Sequence, residues 1–370
     1  MLLGHQRLIP GSLTWDGVDC RLQAAGANTA PRPILHRRFV ILQAVNELTQ
    51  LPAILVTGAH RSGTSWVGRM LAANGQAELI NEPFNRFHPA GVMRAPIRLL
   101  YTYVCQENEA EFLNPMREML GYRYHYWAQL RRHPVKDIPR AVRDAIGFLG
   151  ARLHGRRPLV KDPFAVFSVP WFADRLHCQV VIVVRHPVAF ASSLKRLEWS
   201  FDFGDLLAQP MLMDQMLASY RAEMELLQRQ PGDLIGQATL LWRIIYGTVA
   251  HYRVTHPEIT IVRHEDLSLD PEAGFRQLYA ALGLSFTASA QGVVLSSSME
   301  NNPTELSPGN PHASRLNSRA NLQNWKHRLT PEEVDRVLKG TQEIVPLFYS
   351  GSMQGFDFAR AGTPGESRLG

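Results

Sequence analysis

The sequence predicts a doubly wound α/β fold built on a mainly parallel sheet. Short, continuous apolar runs lie at residues 53–57, 159–160, 180–184 and 259–262. Continuous apolarity is typical of a parallel strand that is covered on both faces. Each run ends abruptly in polar or charged residues, and helical patterns lie between the runs. This alternation favours a sheet whose ligand binds beyond the carboxyl ends of its strands.

The first predicted strand, AILVT, is followed by the segment GAHRSGTS and then by a helical pattern at residues 65–73. The segment AELIN is expected to form the next strand, with Glu82 and Pro83 just beyond its carboxyl end. The later strands lead into KDP, RHP and RHED, and further helical patterns lie at residues 188–197, 240–252, 271–282 and 331–344. Because parallel strands end at one edge of the sheet, these polar clusters are expected to share that edge.

The predicted strands share one sheet, so we expect a single domain over residues 51–350, although the length of 370 residues would allow about two domains. A helical insertion is expected at about residues 90–156. It would form a lid, a substrate wall or a plain packing layer. Residues 1–50 are expected to be a loop that leads into a helix beginning near Ile34, and residues 351–370 a flexible tail.

Composition excludes several classes of protein. With 45% hydrophobic and 19% charged residues, the chain is neither disordered nor fibrous. The formal net charge of +6 favours an anionic ligand or partner. Three widely separated cysteines form neither a disulfide framework nor a CxxC metal site. Because no apolar run approaches the roughly 18 residues of a membrane span, we expect a cytoplasmic protein without one.

The sequence has no motif for metal binding, for serine hydrolysis or for nucleic-acid binding. The 14 histidines include no HExxH or paired metal-ligand set, and no GxSxG hydrolase elbow is present. The basic residues also lack the dense run with interleaved aromatic residues that is typical of a nucleic-acid groove. We therefore expect no metal cofactor and no nucleic-acid partner. The sequence leaves the oligomeric state open.

A phosphate-binding loop is predicted between the first strand and the first helix, at residues 58–65 (GAHRSGTS). In this context backbone N–H groups and the helix N-terminus can cradle an anion. The segment satisfies the GxxxxGK[ST] pattern except that Thr64 replaces the lysine. Loss of the lysine that reaches the β and γ phosphates argues against a nucleoside triphosphatase. A glycine-rich turn without a ligand is the alternative.

Two motifs resemble those of the sulfotransferases that use 3′-phosphoadenosine 5′-phosphosulfate (PAPS). Residues 61–66, RSGTSW, match the family's 5′-phosphosulfate loop at every position. Arg185-His186-Pro187 follows a strand, as in the family's second motif, and Ser193 stands at the family's spacing from Arg185. Looser matches are KDP at 161–163, HEDL at 264–267 and NWK at 324–326. The resemblance covers about residues 53–345 and is strongest to the bacterial and carbohydrate branches.

The resemblance implies a P-loop-like sulfotransferase fold and binding of PAPS as co-substrate. It places the 5′-phosphosulfate on Arg61 and on the loop residues Ser62, Gly63, Thr64 and Ser65. The 3′-phosphate would lie on Arg185 and Ser193, where a guanidinium fork and a hydroxyl both donate. Trp66 would stack on the adenine or pack in the core. Arg319 would add a 3′-phosphate contact or be a solvated surface residue.

The same resemblance implies transfer of a sulfuryl group, without a metal, to a hydroxyl or amine of a small-molecule or glycan acceptor. Glu82 is predicted to be the general base and Arg61 to supply positive charge at the leaving group. The structural alternative for Glu82 is an ion pair with Arg61 or Arg86. His60, His186 and Asp162 are alternative bases. Lys161 would contact the transferring group or pair with Asp162.

Two other functions remain as competitors at this stage. One is a nucleotide or small-molecule kinase with a degenerate phosphate loop. The other is a nonenzymatic nucleotide-binding protein that keeps the fold without turnover.

Overall fold

The computed structural model describes residues 51–132, 138–305 and 315–349. The predictions for residues 1–50 and 351–370 therefore lie outside the described residues. Among the described helices, none combines the length and apolar character that a membrane crossing requires.

Five parallel strands form one sheet in the order β2-β3-β1-β4-β5. The strands are β1 (Ile54–Gly58), β2 (Ala77–Asn81), β3 (Arg157–Lys161), β4 (Gln179–Val184) and β5 (Thr260–Arg263). Each coincides with a predicted strand. In the register of the sheet, Leu55 of the central strand lies opposite Val160 on one side and Val180 on the other. The predicted parallel α/β sheet is confirmed.

The sheet separates two hydrophobic cores, which explains why the strands have continuous apolar sequences. Along β1, Leu55 packs in one core, whereas Ile54 and Val56 pack in the other. Along β4, Ile182 and Val183 likewise point into opposite cores. Because successive strand side chains alternate between faces, a strand covered on both sides needs an apolar residue at every position. Helices on both faces make the fold doubly wound, as predicted.

The α-helices of the described residues are numbered here in chain order. They are α1 (Thr64–Leu71), α2 (Leu113–Leu120), α3 (Tyr126–Arg132), α4 (Ile138–Leu153), α5 (Val169–Asp174), α6 (Pro187–Arg196), α7 (Gly204–Leu207), α8 (Pro210–Leu212), α9 (Arg221–Gln228), α10 (Leu234–Thr255), α11 (His264–Leu269), α12 (Pro271–Ala281), α13 (Ala288–Ser298), α14 (Ser318–Asn321), α15 (Pro331–Thr341) and α16 (Val345–Phe348). Short 3-10 helices lie at Glu109–Glu111, Pro163–Ser168, Ala218–Tyr220 and Asn324–His327, and a π turn at Met213–Leu217.

Side-chain caps fix where several helices begin. Asp233 accepts a hydrogen bond from the N–H of Gly236 at 3.0 Å, so α10 starts at Leu234, six residues before the predicted helical pattern. At α15, Thr330 and Glu333 form a capping box. A cap satisfies backbone donors that the first helical turn leaves without partners. The stretch predicted as a helical insertion carries α2, α3 and α4 between β2 and β3.

Candidate active site

The phosphate loop depends on two glycines with positive φ. Gly58 ends β1 at φ 142°, and a Cβ there would lie 2.4 Å from the carbonyl oxygen of Val183. Gly63 has φ 101°, and a Cβ there would lie 2.5 Å from Nδ1 of His264. Only glycine fits both the backbone conformation and the close approach of β4 and α11. α1 begins at the next residue, Thr64, so the N–H groups of its first residues have no acceptor earlier in the helix. The N–H of Trp66 is already used, because it donates to the carbonyl oxygen of Gly63 at 3.0 Å.

An arginine-rich cavity lies at this end of the loop. Its lining includes the predicted residues Arg61, Gly63, Thr64, Ser65, Trp66, Arg185 and Ser193. It also includes Arg69, Arg196, His264, Ser268, Ser297, Leu316, Ser318, Asn321 and Arg328. None of these described lining residues is an aspartate or a glutamate. Five guanidinium groups without a lining carboxylate favour a ligand with more than one negative charge.

Contacts of Arg61 and Arg185 connect the phosphate loop with the segment that follows β4. Nη1 of Arg185 donates to the carbonyl oxygen of Arg61 at 2.8 Å, and Nε of Arg61 donates to Oγ of Ser193 at 3.4 Å. The carbonyl oxygen of Arg185 accepts from Nε1 of Trp242 at 2.8 Å. Tertiary contacts therefore hold the phosphate loop and the second predicted motif together.

The cationic environment of the cavity is visible in the pKa values of its arginines. Burial, followed by the charges of Arg196 and Arg328, lowers the pKa of Arg61. Burial lowers the pKa of Arg185 to about 10, and Arg61 and Arg328 act in the same direction. Arg185 remains a cation at neutral pH. Like-charged side chains held together at this cost are typical of an anion site.

Ser62 and Trp66 are both held by contacts within the protein. Ser62 is completely buried, and its N–H donates to the carbonyl oxygen of Ala59 at 3.1 Å, so it supports the loop from beneath. Trp66 lines the cavity, yet its Nε1 donates to Oγ of Ser297 at 2.9 Å and its ring packs edge-on against Phe275. Both expectations for Trp66, a ligand contact and a core residue, therefore remain compatible with its position.

Arg319 lies apart from the described lining of the cavity. Its Nε and Nη2 donate to the carbonyl oxygen of Leu269 at 3.1 and 2.7 Å, at the C-terminal end of α11. Its neighbours Ser318 and Asn321 line the cavity instead. The guanidinium of Arg319 thus satisfies a helix terminus.

Three arginines that line the cavity, Arg69, Arg196 and Arg328, were not predicted from the sequence. Arg69 stands one helical turn after Ser65 on α1, and Arg196 one turn after Ser193 on α6. Residues three or four apart share a helix face, so this spacing was a usable signal. Arg328 carries no such signal, because it reaches the cavity from a turn distant in sequence. Glu305 contacts both Arg328 and Arg196, the latter at 3.4 Å between Oε2 and Nε.

Glu82 lies at the carboxyl edge of the sheet, where it pairs with Lys161. Nζ of Lys161 is 2.5 Å from Oε1 of Glu82, and Nδ2 of Asn85 donates to Oε2 at 2.9 Å. Lys161 is 2% exposed, whereas Glu82 is 25% exposed. The Lys161 stem passes over Gly68 of α1, where a Cβ would lie 3.0 Å from its Cγ. Glu82 is not among the described lining residues of the arginine cavity.

The expected pairing of the charged residues around Glu82 differs in the structure. Lys161 pairs with Glu82 and not with Asp162, since successive strand residues point to opposite faces. Asp162 accepts from the N–H groups of Phe84 and Phe164 at 2.5 and 2.9 Å. Arg86, a suggested partner of Glu82, lies 3.7 Å from Asp205.

The alternative bases are buried. His60 contacts the hydroxyl of Tyr101 at 2.7 Å and packs among aromatic rings, and His186 caps α6. Burial lowers the pKa of each histidine to about 3. Burial also raises the pKa of Asp162 to about 7. Neither histidine has the exposure that contact with an acceptor requires, and Glu82 is the more accessible candidate base.

Comparison with known proteins gives the family. The profile of the Sulfotransferase family matches residues 52–288, more than half of the chain. No curated protein sequence matches the chain. Among solved structures, the chain is similar to the sulfotransferase domain from the curacin biosynthetic pathway (15% identity, 80% of this chain and 99% of that chain, TM-score 0.41). It is also similar to the sulfotransferase STF9 from Mycobacterium avium (12% identity, 84% and 81%, TM-score 0.41). A third similar structure is mouse sulfotransferase SULT7A1 complexed with PAP (11% identity, 82% and 89%, TM-score 0.38).

The extent of the family match covers β1 to β5 and includes both predicted anion-binding motifs. The chain belongs to the sulfotransferase family.

Proposed function

We propose that the protein transfers a sulfuryl group from PAPS to a hydroxyl or amine of a small-molecule or glycan acceptor. Membership of the family supports sulfuryl transfer as the class of reaction. The observation that carries the choice of donor is the cavity lined by five arginines and, among its described residues, by no carboxylate. PAPS has anionic groups at two separate positions, and the cavity offers two sets of donors.

The residues present fit this donor. Arg61 and the first N–H groups of α1, at Thr64 and Ser65, would hold the 5′-phosphosulfate. Arg185 and Ser193, which contact Arg61, would hold the 3′-phosphate. Nε of Arg185 is buried and has no hydrogen-bond partner among the described residues, which is costly unless a ligand accepts from it. Trp66 would lie against the adenine, with its indole N–H already held by Ser297.

Glu82 is our proposed general base. The donor supplies an activated sulfuryl group when it is bound, and the acceptor must lose a proton as the new bond forms. Lys161 and Asn85 each hold one carboxylate oxygen of Glu82, so its orientation is fixed. Arg61 would stabilise negative charge on the leaving group.

Binding of the desulfated product tests the donor. We expect 3′-phosphoadenosine 5′-phosphate (PAP) to raise the melting temperature of the protein in the presence of a chelator. Stabilisation by magnesium-ATP alone would instead identify the kinase competitor and refute this proposal. Turnover is then measured by mass spectrometry with PAPS and a panel of hydroxyl and amine acceptors. PAP binding without any sulfated product across the panel would favour the nonenzymatic competitor.

A further inference from the structure

Glu305 contacts two of the arginines that line the cavity, although it is not among the described lining residues itself. Its Oε1 accepts a hydrogen bond from Nε of Arg328 at 3.2 Å and another from Nη2 of the same guanidinium group. Its Oε2 lies 3.4 Å from Nε of Arg196. One carboxylate therefore bridges the last residue of α6 and an arginine more than a hundred positions later in the chain.

We propose that Glu305 is an internal competitor for the anion that this cavity binds, and that it lowers the affinity for that anion. Nε and Nη2 form one of the two edges of a guanidinium group that donate two parallel hydrogen bonds to a phosphate. Glu305 contacts this edge of Arg328. A phosphate that uses the same donors must displace the carboxylate. The identity of the anion, PAPS or PAP, rests on the proposed function.

The backbone beside Glu305 is fixed to the wall of the cavity. The carbonyl oxygen of Thr304 accepts from Nδ2 of Asn321 at 3.1 Å and from Nδ2 of Asn324 at 2.9 Å. Asn321 itself lines the cavity, and Asn324 lies in the 3-10 helix that directly precedes Arg328. These contacts hold the carboxylate within reach of both arginines. An anion that displaces it would move the side chain of Glu305 and leave the adjacent backbone in place.

The two arginines act on the residues that we assign to the donor. Burial and then the charges of Arg196 and Arg328 lower the pKa of Arg61, and Arg328 also adds to the effect of burial on Arg185. A hydrogen bond from Arg328, together with the charges of Arg328 and Arg196, lowers the pKa of Glu305. Glu305 is therefore an anion at neutral pH, and it offsets part of the repulsion among these cations.

Partial exposure allows an anion to replace Glu305. Its side chain is 43% exposed, whereas those of Arg196 and Arg328 are 24% and 15% exposed. Ion pairs that solvent reaches contribute modestly to stability. A phosphate group carries more negative charge and one more acceptor oxygen than a carboxylate, so it forms the stronger contact with the same guanidinium groups. Glu305 should thus weaken binding without preventing it.

Replacement of Glu305 by glutamine tests the direction of this effect. Glu305→Gln removes the charge and nearly conserves the volume, and we expect the Kd of PAP to fall about 2- to 30-fold, the usual worth of two exposed ion pairs. Glu223→Gln is the matched control, because Glu223 is also 43% exposed and pairs with Arg243 at 2.9 Å. Neither residue of that pair is among the described lining of the cavity.

The control makes the same change in net charge, so its Kd for PAP should stay at the wild-type value in isothermal titration. An unchanged or higher Kd for Glu305→Gln would show that Glu305 orients the arginines for the ligand. An equal gain in both variants would show that net charge is the cause. Either result overturns the competitor role.

Inorganic pyrophosphate separates this inference from the identity of the donor. Its affinity should also rise in Glu305→Gln, because it reaches the same arginines without an adenosine group. Tighter pyrophosphate binding by the variant, in a chain that does not bind PAP, would refute the proposed donor and support the competitor role. Equal pyrophosphate affinity of the wild-type and Glu305→Gln chains would overturn the competitor role, whether or not PAP binds.

A crystal structure of the wild-type chain with PAP or pyrophosphate tests the displacement directly. We expect an oxygen of the bound anion on Nε or Nη2 of Arg328, and Glu305 beyond hydrogen-bonding distance of that guanidinium group. Retention of both Glu305 contacts beside the bound anion would show that the carboxylate positions Arg196 and Arg328, and it would overturn the proposal.

Discussion

Nζ of Lys161 lies 2.5 Å from Oε1 of Glu82, and this ion pair links the carboxyl ends of β3 and β2. The two residues are 79 positions apart in sequence. Lys161 is almost completely buried and its stem crosses Gly68 on α1. The pair therefore connects the proposed base with the helix that follows the phosphate loop. A displaced phosphate loop would disturb Glu82 through this contact.

Replacement of the proposed base should reduce turnover far more than stability. Glu82→Gln keeps an oxygen for Lys161 and removes the proton acceptor, so we expect kcat to fall about 10²- to 10⁴-fold. PAP affinity should change little, because Glu82 is not among the described residues that line the arginine cavity. Steady-state kinetics and PAP titration check this.

Glu78→Gln is the matched control for that experiment. Glu78 lies on β2, the strand that ends just before Glu82, is similarly exposed and pairs with Arg156 at 2.5 Å. It should retain wild-type turnover. Equal activity of the Glu82→Gln and wild-type enzymes would show that Glu82 is not the base and that its ion pair with Lys161 is structural.

Two arginines should differ sharply in their effect on PAP affinity. Arg185→Ala removes a buried cation that lines the cavity, and we expect the Kd to rise about 10- to 150-fold, which is the usual contribution of a hydrogen bond to a charged group. Arg319→Ala should leave the Kd nearly unchanged, since its guanidinium donates to Leu269. Isothermal titration measures both. A larger loss from Arg319→Ala would contradict the assignment drawn from the cavity lining.

The phosphate loop should not tolerate a side chain at Gly63. Gly63→Ala meets Nδ1 of His264 and forces a non-glycine residue to φ 101°, so we expect a loss of about 1–3 kcal/mol in unfolding free energy. PAP affinity should fall as well, because the first turn of α1 shifts. Gly292→Ala is the control, since that position on α13 is open and a helical alanine should stabilise by about 0.5–1 kcal/mol. Denaturant unfolding measures both changes, and a neutral Gly63→Ala would contradict the close approach.

Stability should fall on acidification below about pH 6.5, because burial lowers the pKa of His60, His186 and His264 to about 3. Each histidine stays neutral in the folded state while its unfolded counterpart takes up a proton. The stability it contributes is present above about pH 6.5 and is lost as the pH falls towards 3, at up to about 1.4 kcal/mol per pH unit. Asp162 opposes this trend, since burial raises its pKa to about 7 and its contribution is lost as the pH rises. Burial also raises the pKa of Glu265 and Asp205, whereas hydrogen bonds from arginines lower the pKa of Glu109 and Glu305. The carboxyl groups thus act in both directions, and the three histidines set the trend.

His186→Asn tests the histidine contribution with the helix cap retained, because asparagine is also a good N-cap. Unfolding free energies measured between about pH 5 and about pH 7 should depend on pH less steeply in the variant, by up to about 1.4 kcal/mol per pH unit. Parallel curves for the two proteins would show that His186 does not titrate as its burial implies.

The strands and the phosphate loop could be predicted from the sequence because each places a local requirement on residue type. A strand between two cores needs an apolar residue at every position, as β1 and β4 show. Positive φ combined with a close neighbour needs glycine, as at Gly58 and Gly63, whereas Arg61 in the same loop adopts φ 66° as a non-glycine residue. Arg61, Arg185 and Ser193 were found because each belongs to a motif that directly follows such a strand.

Only the tertiary structure decided which of the charged residues meet. The pairing of β2 with β3 brings Glu82 to Lys161, and chain segments far apart in sequence bring Arg328 to the cavity of Arg61. The same geometry turns Arg319, a site residue by sequence, towards Leu269. Local sequence sets backbone conformation and burial, whereas long-range contacts depend on how strands and helices pack. The sequence by itself therefore determined the parallel sheet and its phosphate loop, and the packing of that sheet decided the ion pairs and the lining of the anion site.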